Sequence, residues 1–218
     1  MLQGRGIGLE VRMTYRRSVV ARAVWVAAAI AVGLSGCAKK EPVSADARTL
    51  SEKLNPFVYY EIGSVMFLAV DTRAASYVDD ATMFPLGLGI SNLSQGSLTF
   101  KREQFIVEDS AGRRYPVVSY DEYRRDYKRS RSDAELGQEF AGIMETRYGN
   151  FRSTPWALFP AGGSTAPVVN QVEVGRNEYV IGYLYFPMPE GGIDKKKFKL
   201  LVRADEYPEP FLIGFAID

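Results

Sequence analysis

The sequence predicts a mainly β fold, an antiparallel sandwich interrupted by an inserted helical arm. Three observations predict it. Short apolar runs recur from Gly63 onward, with Gly, Pro, Asn and Asp clusters between them. The last third alternates apolar and polar residues with period 2, which turns one face of each strand inward. One stretch, Ser119 to Arg147, repeats its apolar residues at helical spacing instead.

Taken in order, Ser64 to Val70 is a short run with β-branched and aromatic residues, closed by Asp71. Thr82 to Asn92 follows. Within it Pro85 predicts an edge position or a bulge, and Gly87 and Gly89 predict close backbone contacts. Leu93 to Ser97 is a turn. Gln104 to Glu108 is a strand, Asp109-Ser110-Ala111-Gly112 a hairpin turn, and Arg113 to Val118 the return. Gly112 supplies the positive φ that such a turn needs.

Ser119-Tyr120-Asp121-Glu122 fits a capping box, with Glu122 reaching back to Ser119. Tyr120, Tyr123 and Tyr127 then follow helical spacing, so a helix is expected from Ser119 to Lys128. A second helical piece is expected from Asp133 to Arg147. It carries Leu136, Phe140, Ile143 and Met144, although Gly137 and Gly142 weaken it. Tyr179 to Phe186 is a strand stopped by Pro187 and Pro189. Glu190-Gly191-Gly192 turns the chain. Phe198, Leu200 and Val202 share one face of the next strand, and Phe211, Ile213, Phe215 and Ile217 one face of the last.

Residues 1–36 do not fit this fold. Arg12, Arg16, Arg17 and Arg22 form a basic lead, and Ala23 to Gly33 is uncharged and almost wholly apolar. That run is short for a spanning helix, which needs about 20 apolar residues. Basic lead, short apolar stretch and small residues make a secretory-signal pattern. Met13, followed by Thr14-Tyr15-Arg16-Arg17, would start a leader of more usual length. The residues Leu34-Ser35-Gly36-Cys37 resemble the lipobox of bacterial lipoproteins. The resemblance implies a diacylglyceryl group on the Cys37 thiol and cleavage between Gly36 and Cys37. Two or more acyl chains anchor stably where one holds only marginally. The competing account is an ordinary signal peptide or signal anchor with an incidental cysteine. Cys37 is the only cysteine of the chain, so no disulfide competes for it. In lipoproteins of Gram-negative cells an Asp after the cysteine implies inner-membrane retention. Ala38 stands here, which implies the periplasmic face of the outer membrane for such a source.

The expected organisation is a signal peptide over 1–36, the lipidated cysteine and a flexible tether over 37–55, and one sandwich domain over 56–218 with its helical insertion at about 119–147. The tether is polar and poor in bulky residues, with a short helical turn expected from Thr49 to Leu54. Removing 36 of the 218 residues leaves 182, enough for a core without disulfides. Of 27 basic and 26 acidic side chains, five and one fall in the leader. The remaining 22 and 25 nearly balance, which gives no electrostatic reason for nucleic-acid binding.

Gly87-Leu88-Gly89-Ile90-Ser91-Asn92, the segment Phe105 to Tyr115, and Gly182-Tyr183-Leu184-Tyr185-Phe186-Pro187 together resemble the small immunoglobulin-like sandwich found in many bacterial lipoproteins. The resemblance spans about Gly63 to Asp218 outside the arm. It implies a fold and a binding or scaffolding habit, and it carries no catalytic residue.

The chemistry is narrowed by composition. The chain has no histidine, so no Ser-His-Asp triad, Cys-His pair or histidine-dependent zinc site can form. No Ser-x-x-Lys or Gly-x-x-x-x-Gly-Lys occurs. Two adjacent acid pairs, Asp79-Asp80 and Asp121-Glu122, remain. Glycoside hydrolysis needs two carboxyls facing across a cleft, whereas these fit a solvated turn and a helix N-terminus. Calcium at Asp79-Asp80 would lack the spaced-oxygen loop. Trp156 is expected in the core. Ala161 to Thr165 is expected as a flexible loop.

The expectation is a lipid-anchored cell-envelope protein acting as a non-catalytic binding or scaffold module, without cofactor or metal. A carboxylate-dependent, glycan-acting enzyme and a purely structural envelope protein are the rivals. Arg124, Arg125, Lys128, Arg129 and Arg131 form the candidate partner surface, suited to lipid phosphates, lipopolysaccharide or an acidic protein. The alternative is a solvated helix face partly neutralised by Asp121, Glu122 and Asp126.

Overall fold

A computed structural model describes residues 49–78, 81–160 and 167–218. The fold is mainly β, in two larger sheets and a smaller pair. The strands are β1 Glu52–Lys53, β2 Val58–Ile62, β3 Met66–Asp71, β4 Met83–Asn92, β5 Leu98–Lys101, β6 Phe105–Asp109, β7 Arg114–Pro116, β8 Arg152–Thr154, β9 Gln171–Val174, β10 Glu178–Pro187, β11 Lys196–Val202 and β12 Phe211–Ile217. The six-stranded sheet runs β1-β2-β3-β4-β10-β8, the four-stranded sheet β12-β11-β6-β7, and β5 pairs with β9. Ladders are antiparallel except β8 on β10, which is parallel.

The two larger sheets face one another. Alternate residues of β4 (Phe84, Leu86, Leu88 and Ile90) point into the main core, as do Phe105 and Val107 of β6 and Phe198, Leu200 and Val202 of β11. Ring centroids of Phe84 and Phe198 lie 6.0 Å apart across the gap, and Phe198 stacks on Phe215 of β12 at 5.7 Å. Trp156 packs edge-on to Phe105 at 6.1 Å and is buried, as expected. Its ring occupies the space beside Gly182, where a Cβ would collide with the indole.

The other face of the six-stranded sheet is covered as well. Between β7 and β8 the chain forms α1 Tyr120–Asp126, α2 Ser130–Leu136 and α3 Gln138–Tyr148. The two expected helical pieces are thus three helices, and they form a layer on the sheet rather than a projecting arm. Phe140 and Met144 of α3 pack on Val58, Phe67 and Ala69 in a second apolar cluster. Gly87 and Gly89 of β4 make this approach possible. A Cβ on Gly89 would come within 2.8 Å of Met144 and 3.0 Å of Phe140. Covering both faces explains why all ten residues of β4 are buried.

Three expectations need correction. Pro85 lies in an interior strand, opposite Tyr185 of β10. The β3 ladder has ended by Gly87, so no β3 residue is aligned with the proline and its missing N–H is tolerated. Thr49 to Leu54 holds no helical turn, and the last residues of the expected tether belong to the fold. The Ser51 N–H donates to the Gly214 carbonyl (3.0 Å), and Glu52 and Lys53 pair with Tyr60 and Tyr59. The Asn55 side chain accepts from the N–H groups of Phe57 and Val58, both at 2.8 Å, which closes the β1–β2 turn. Backbone pairing of this kind needs no apolar side chain, so composition does not reveal it.

The hairpin at Asp109 forms as expected, with Gly112 at φ +79°. Asp109 accepts from the N–H groups of Ala111 (2.9 Å) and Arg113 (3.0 Å), the Arg113 guanidinium (2.7 Å) and the Tyr115 hydroxyl (3.0 Å). Asp, Gly and Tyr at these spacings therefore serve one turn. Asn92 plays a similar part at the end of β4, donating to the carbonyls of Gly96 (2.7 Å) and Val174 (2.8 Å).

Candidate functional site

The basic run is carried by α1, its C-terminal turn and the start of α2. The capping box starts the first helix as expected: the Glu122 N–H donates to Ser119 Oγ (3.2 Å), and the Ser119 N–H to the Glu122 carboxylate (2.9 Å). The tyrosines point inward. Tyr123 and Tyr127 are buried, with ring centroids 4.4 Å and 4.7 Å from that of Tyr185 on β10. The cations face out and are largely engaged within the chain. Arg125 pairs with Asp126 (2.9 Å) and Arg131 with Glu135 (3.4 Å). Lys128 donates to the carbonyl of Arg125 (2.8 Å) near the C-terminal end of α1. Arg129 donates to the carbonyl of Tyr77. Arg124 is exposed and makes no ion pair among the described residues.

Directly beneath this run lies a buried carboxylate that spacing did not single out. Asp133 of α2 is 0% exposed. Its backbone carbonyl accepts from the Tyr183 hydroxyl at 2.6 Å, and its Oδ2 lies 3.5 Å from the Tyr185 hydroxyl. Its Oδ1, like the Tyr127 hydroxyl, is buried without a hydrogen bond. Burial pushes the Asp133 carboxyl up to about 6, against the opposing pull of Tyr127, Arg129 and Tyr185. Phe159 closes the cluster, 5.3 Å from Tyr123 and 5.4 Å from Tyr185.

A second buried acid lies on the same side of the six-stranded sheet. Asp71, at the end of β3, is raised to about 6 by burial, although the Arg73 N–H donates to it at 2.9 Å. Arg73 in turn pairs with Glu139 of α3 at 2.5 Å, and Asn55 donates to the same carboxylate at 3.2 Å. This clasp ties α3 to the turns after β1 and β3. A third acid, Glu178, closes the far edge of the sheet. It accepts from the Thr154 hydroxyl (2.7 Å), the Gly175 N–H (2.9 Å) and Arg152 Nε (2.5 Å). The Thr154 bond, with those of Gly175 and Arg152, holds its carboxyl below the usual range. An open pocket beside it, about 580 Å³, is lined in part by Ser97, Arg152, Thr154, Glu173 and Glu178.

Asp71 and Asp133 are sealed under the helical layer, and Glu178 is saturated with donors. Asp121 and Glu122 occupy the first turn of α1, where acids favour the helix dipole. Gly36, Cys37, the pair Asp79-Asp80 and the expected loop Ala161 to Thr165 lie outside the described residues. Among the described residues no helix is long and apolar enough to cross a membrane. The buried cluster left one trace in the sequence, the density of Tyr at 120, 123, 127, 183 and 185. The acid at its centre had none, because Asp133 sits among ordinary polar neighbours.

No protein-family model and no curated protein matches the chain. Among solved structures, it is similar to a candidate lipoprotein of Bacillus subtilis, ycdA, at 9% identity and a TM-score of 0.39, over 72% of this chain and 38% of that one. The chain thus matches less than half the length of ycdA. It is also similar to the yjhA protein of Bacillus subtilis, at 9% identity and a TM-score of 0.39, over 73% of this chain and 96% of that one.

Proposed function

We propose that the chain is a lipid-anchored protein of the bacterial cell envelope, and that its folded part is a non-catalytic binding or scaffold module built on an elaborated immunoglobulin-like sandwich. The observation that carries this reading is Leu34-Ser35-Gly36-Cys37 placed directly after a basic lead and a short apolar run. Two acyl chains on that sulfur would hold an otherwise water-compatible body to a bilayer. The sandwich part of the reading is supported by two sheets packed face to face and by the Asp109–Tyr115 hairpin. The module part is supported by the surroundings of the perturbed acids, which are sealed or saturated. In a Gram-negative source, Ala38 supports the periplasmic face of the outer membrane.

Cys37→Ser tests the anchor. Expressed from its own leader, the unaltered chain is expected in the membrane fraction after an alkaline wash, and the variant in the soluble fraction or as an uncleaved precursor. Equal retention of a fully cleaved variant contradicts the proposal.

A further inference from the structure

The chain enters the fold on one particular face. β11 is in register with β12 through Lys199↔Gly214 and Leu201↔Leu212, and with β6 through Lys199↔Glu108 and Leu201↔Ile106. β6 is in register with β7 through Glu108↔Arg114 and Ile106↔Pro116. Directly paired residues share a face, and their sequence neighbours Phe198, Leu200 and Val107 fill the core. The paired set therefore forms the outer face of the four-stranded sheet. Gly214 belongs to this face, and a Cβ there would collide with the carbonyl of Thr49. Thr49 thus lies over that face, and Ser51 is fixed beside it by accepting from the Gly214 N–H at 2.9 Å.

The chemistry of the face suits a lipid surface. Arg114 stands there paired with Glu108 at 3.0 Å, and Lys197 and Lys199 lie beside them on β11. Beside them runs an apolar row in which Pro116 is exposed, Ile106 and Leu212 are half-buried and Leu201 is buried. Cations whose stems lie along apolar residues fit the boundary between headgroups and acyl chains. Length gives the same direction. Thr49 is the twelfth residue after Cys37. Such a segment spans about 40 Å when fully extended and about 20 Å as a coil. A body of this size is about 40 Å across. Turning this face away from the bilayer would stretch the connection close to its limit.

We propose that the outer face of the four-stranded sheet lies against the membrane and meets anionic headgroups there. The inference rests on anchoring at Cys37. It leaves the helical layer, with the run from Arg124 to Arg131, on the side turned away from the bilayer.

The test uses the full chain, expressed with its leader and purified from membranes, then reconstituted into vesicles of phosphatidylcholine alone or mixed with phosphatidylglycerol. With Cys37 acylated, a cysteine introduced by Pro116→Cys, or by Glu145→Cys on α3, is the one free thiol and takes a fluorophore. Bromine-labelled lipids are expected to quench the label at 116 several-fold more than the label at 145. Adding phosphatidylglycerol is expected to strengthen the quenching at 116, and Lys197→Glu with Lys199→Glu to remove that gain. Matching circular dichroism spectra and melting curves establish that the variants are folded. Release of the chain by an alkaline wash overturns the anchor and the face together. Retention with equal quenching at both positions, or stronger quenching at 145, overturns the face alone.

Discussion

Asp133 shows how much one side chain can cost inside this fold. Its carboxyl is wholly buried, one oxygen is unbonded, and its acid form persists up to about pH 6 instead of the ordinary 3.8. A raised carboxyl pKa means that the folded state holds the proton more tightly than the unfolded one. Stability therefore falls as pH rises from about 4 to about 6 and stays lower above that. Asp71 acts in the same direction over the same window. Asp133→Asn keeps the shape and removes the charge. It is expected to raise stability near neutral pH by about 1–3 kcal/mol, the usual range for relieving a buried unsatisfied group. It is also expected to flatten part of the slope between pH 4 and 6, with Asp71 retaining the remainder. Urea unfolding across that pH range checks both effects. A variant less stable than the parent at neutral pH would show that the charge is better compensated than this geometry indicates.

Among the elements, α3 decides whether the six-stranded sheet is covered on its second face. Phe140 is its main anchor, 2% exposed and seated over Gly87 and Gly89. Phe140→Ala is expected to cost about 3–5 kcal/mol. Amide exchange should rise first in α2, α3 and the outward side of β3, while the core between the two sheets stays protected. Uniform loss of protection would contradict a separately docked layer. The same covering sets what the sequence could disclose. β11 and β12 were legible because one face of each fills the core and the strands alternate. β2 was not, since Val58 serves the helical cluster and Tyr59 the main core, so no alternation survives. β5, β8 and β9 have only three or four residues each, too few for a period to emerge. The glycines of β4 did predict close approach, and what approaches is a helix.

For the whole molecule, the sequence is most informative where the described structure ends. The expected leader and the lipobox-like residues Leu34 to Cys37 are read from the order of residues alone, because that pattern is one of sequence order rather than of packing. The first helix was legible from its cap and its tyrosine spacing, although it ends at Asp126, before Lys128 and Arg129 of the basic run. That those tyrosines hold the helix down rather than present a surface was not, because spacing states which residues share a face and not whether a sheet lies under it. We propose a lipid-held module, anchored at Cys37, whose orientation follows from where the chain enters the fold. Intact-mass and peptide mass spectrometry of the chain from its own host tests that account most directly. It predicts a mature protein beginning at Cys37 and heavier than its sequence by a diacylglyceryl group, with or without a further acyl chain. A free sulfur at position 37, or a chain still carrying its first 36 residues, would contradict it.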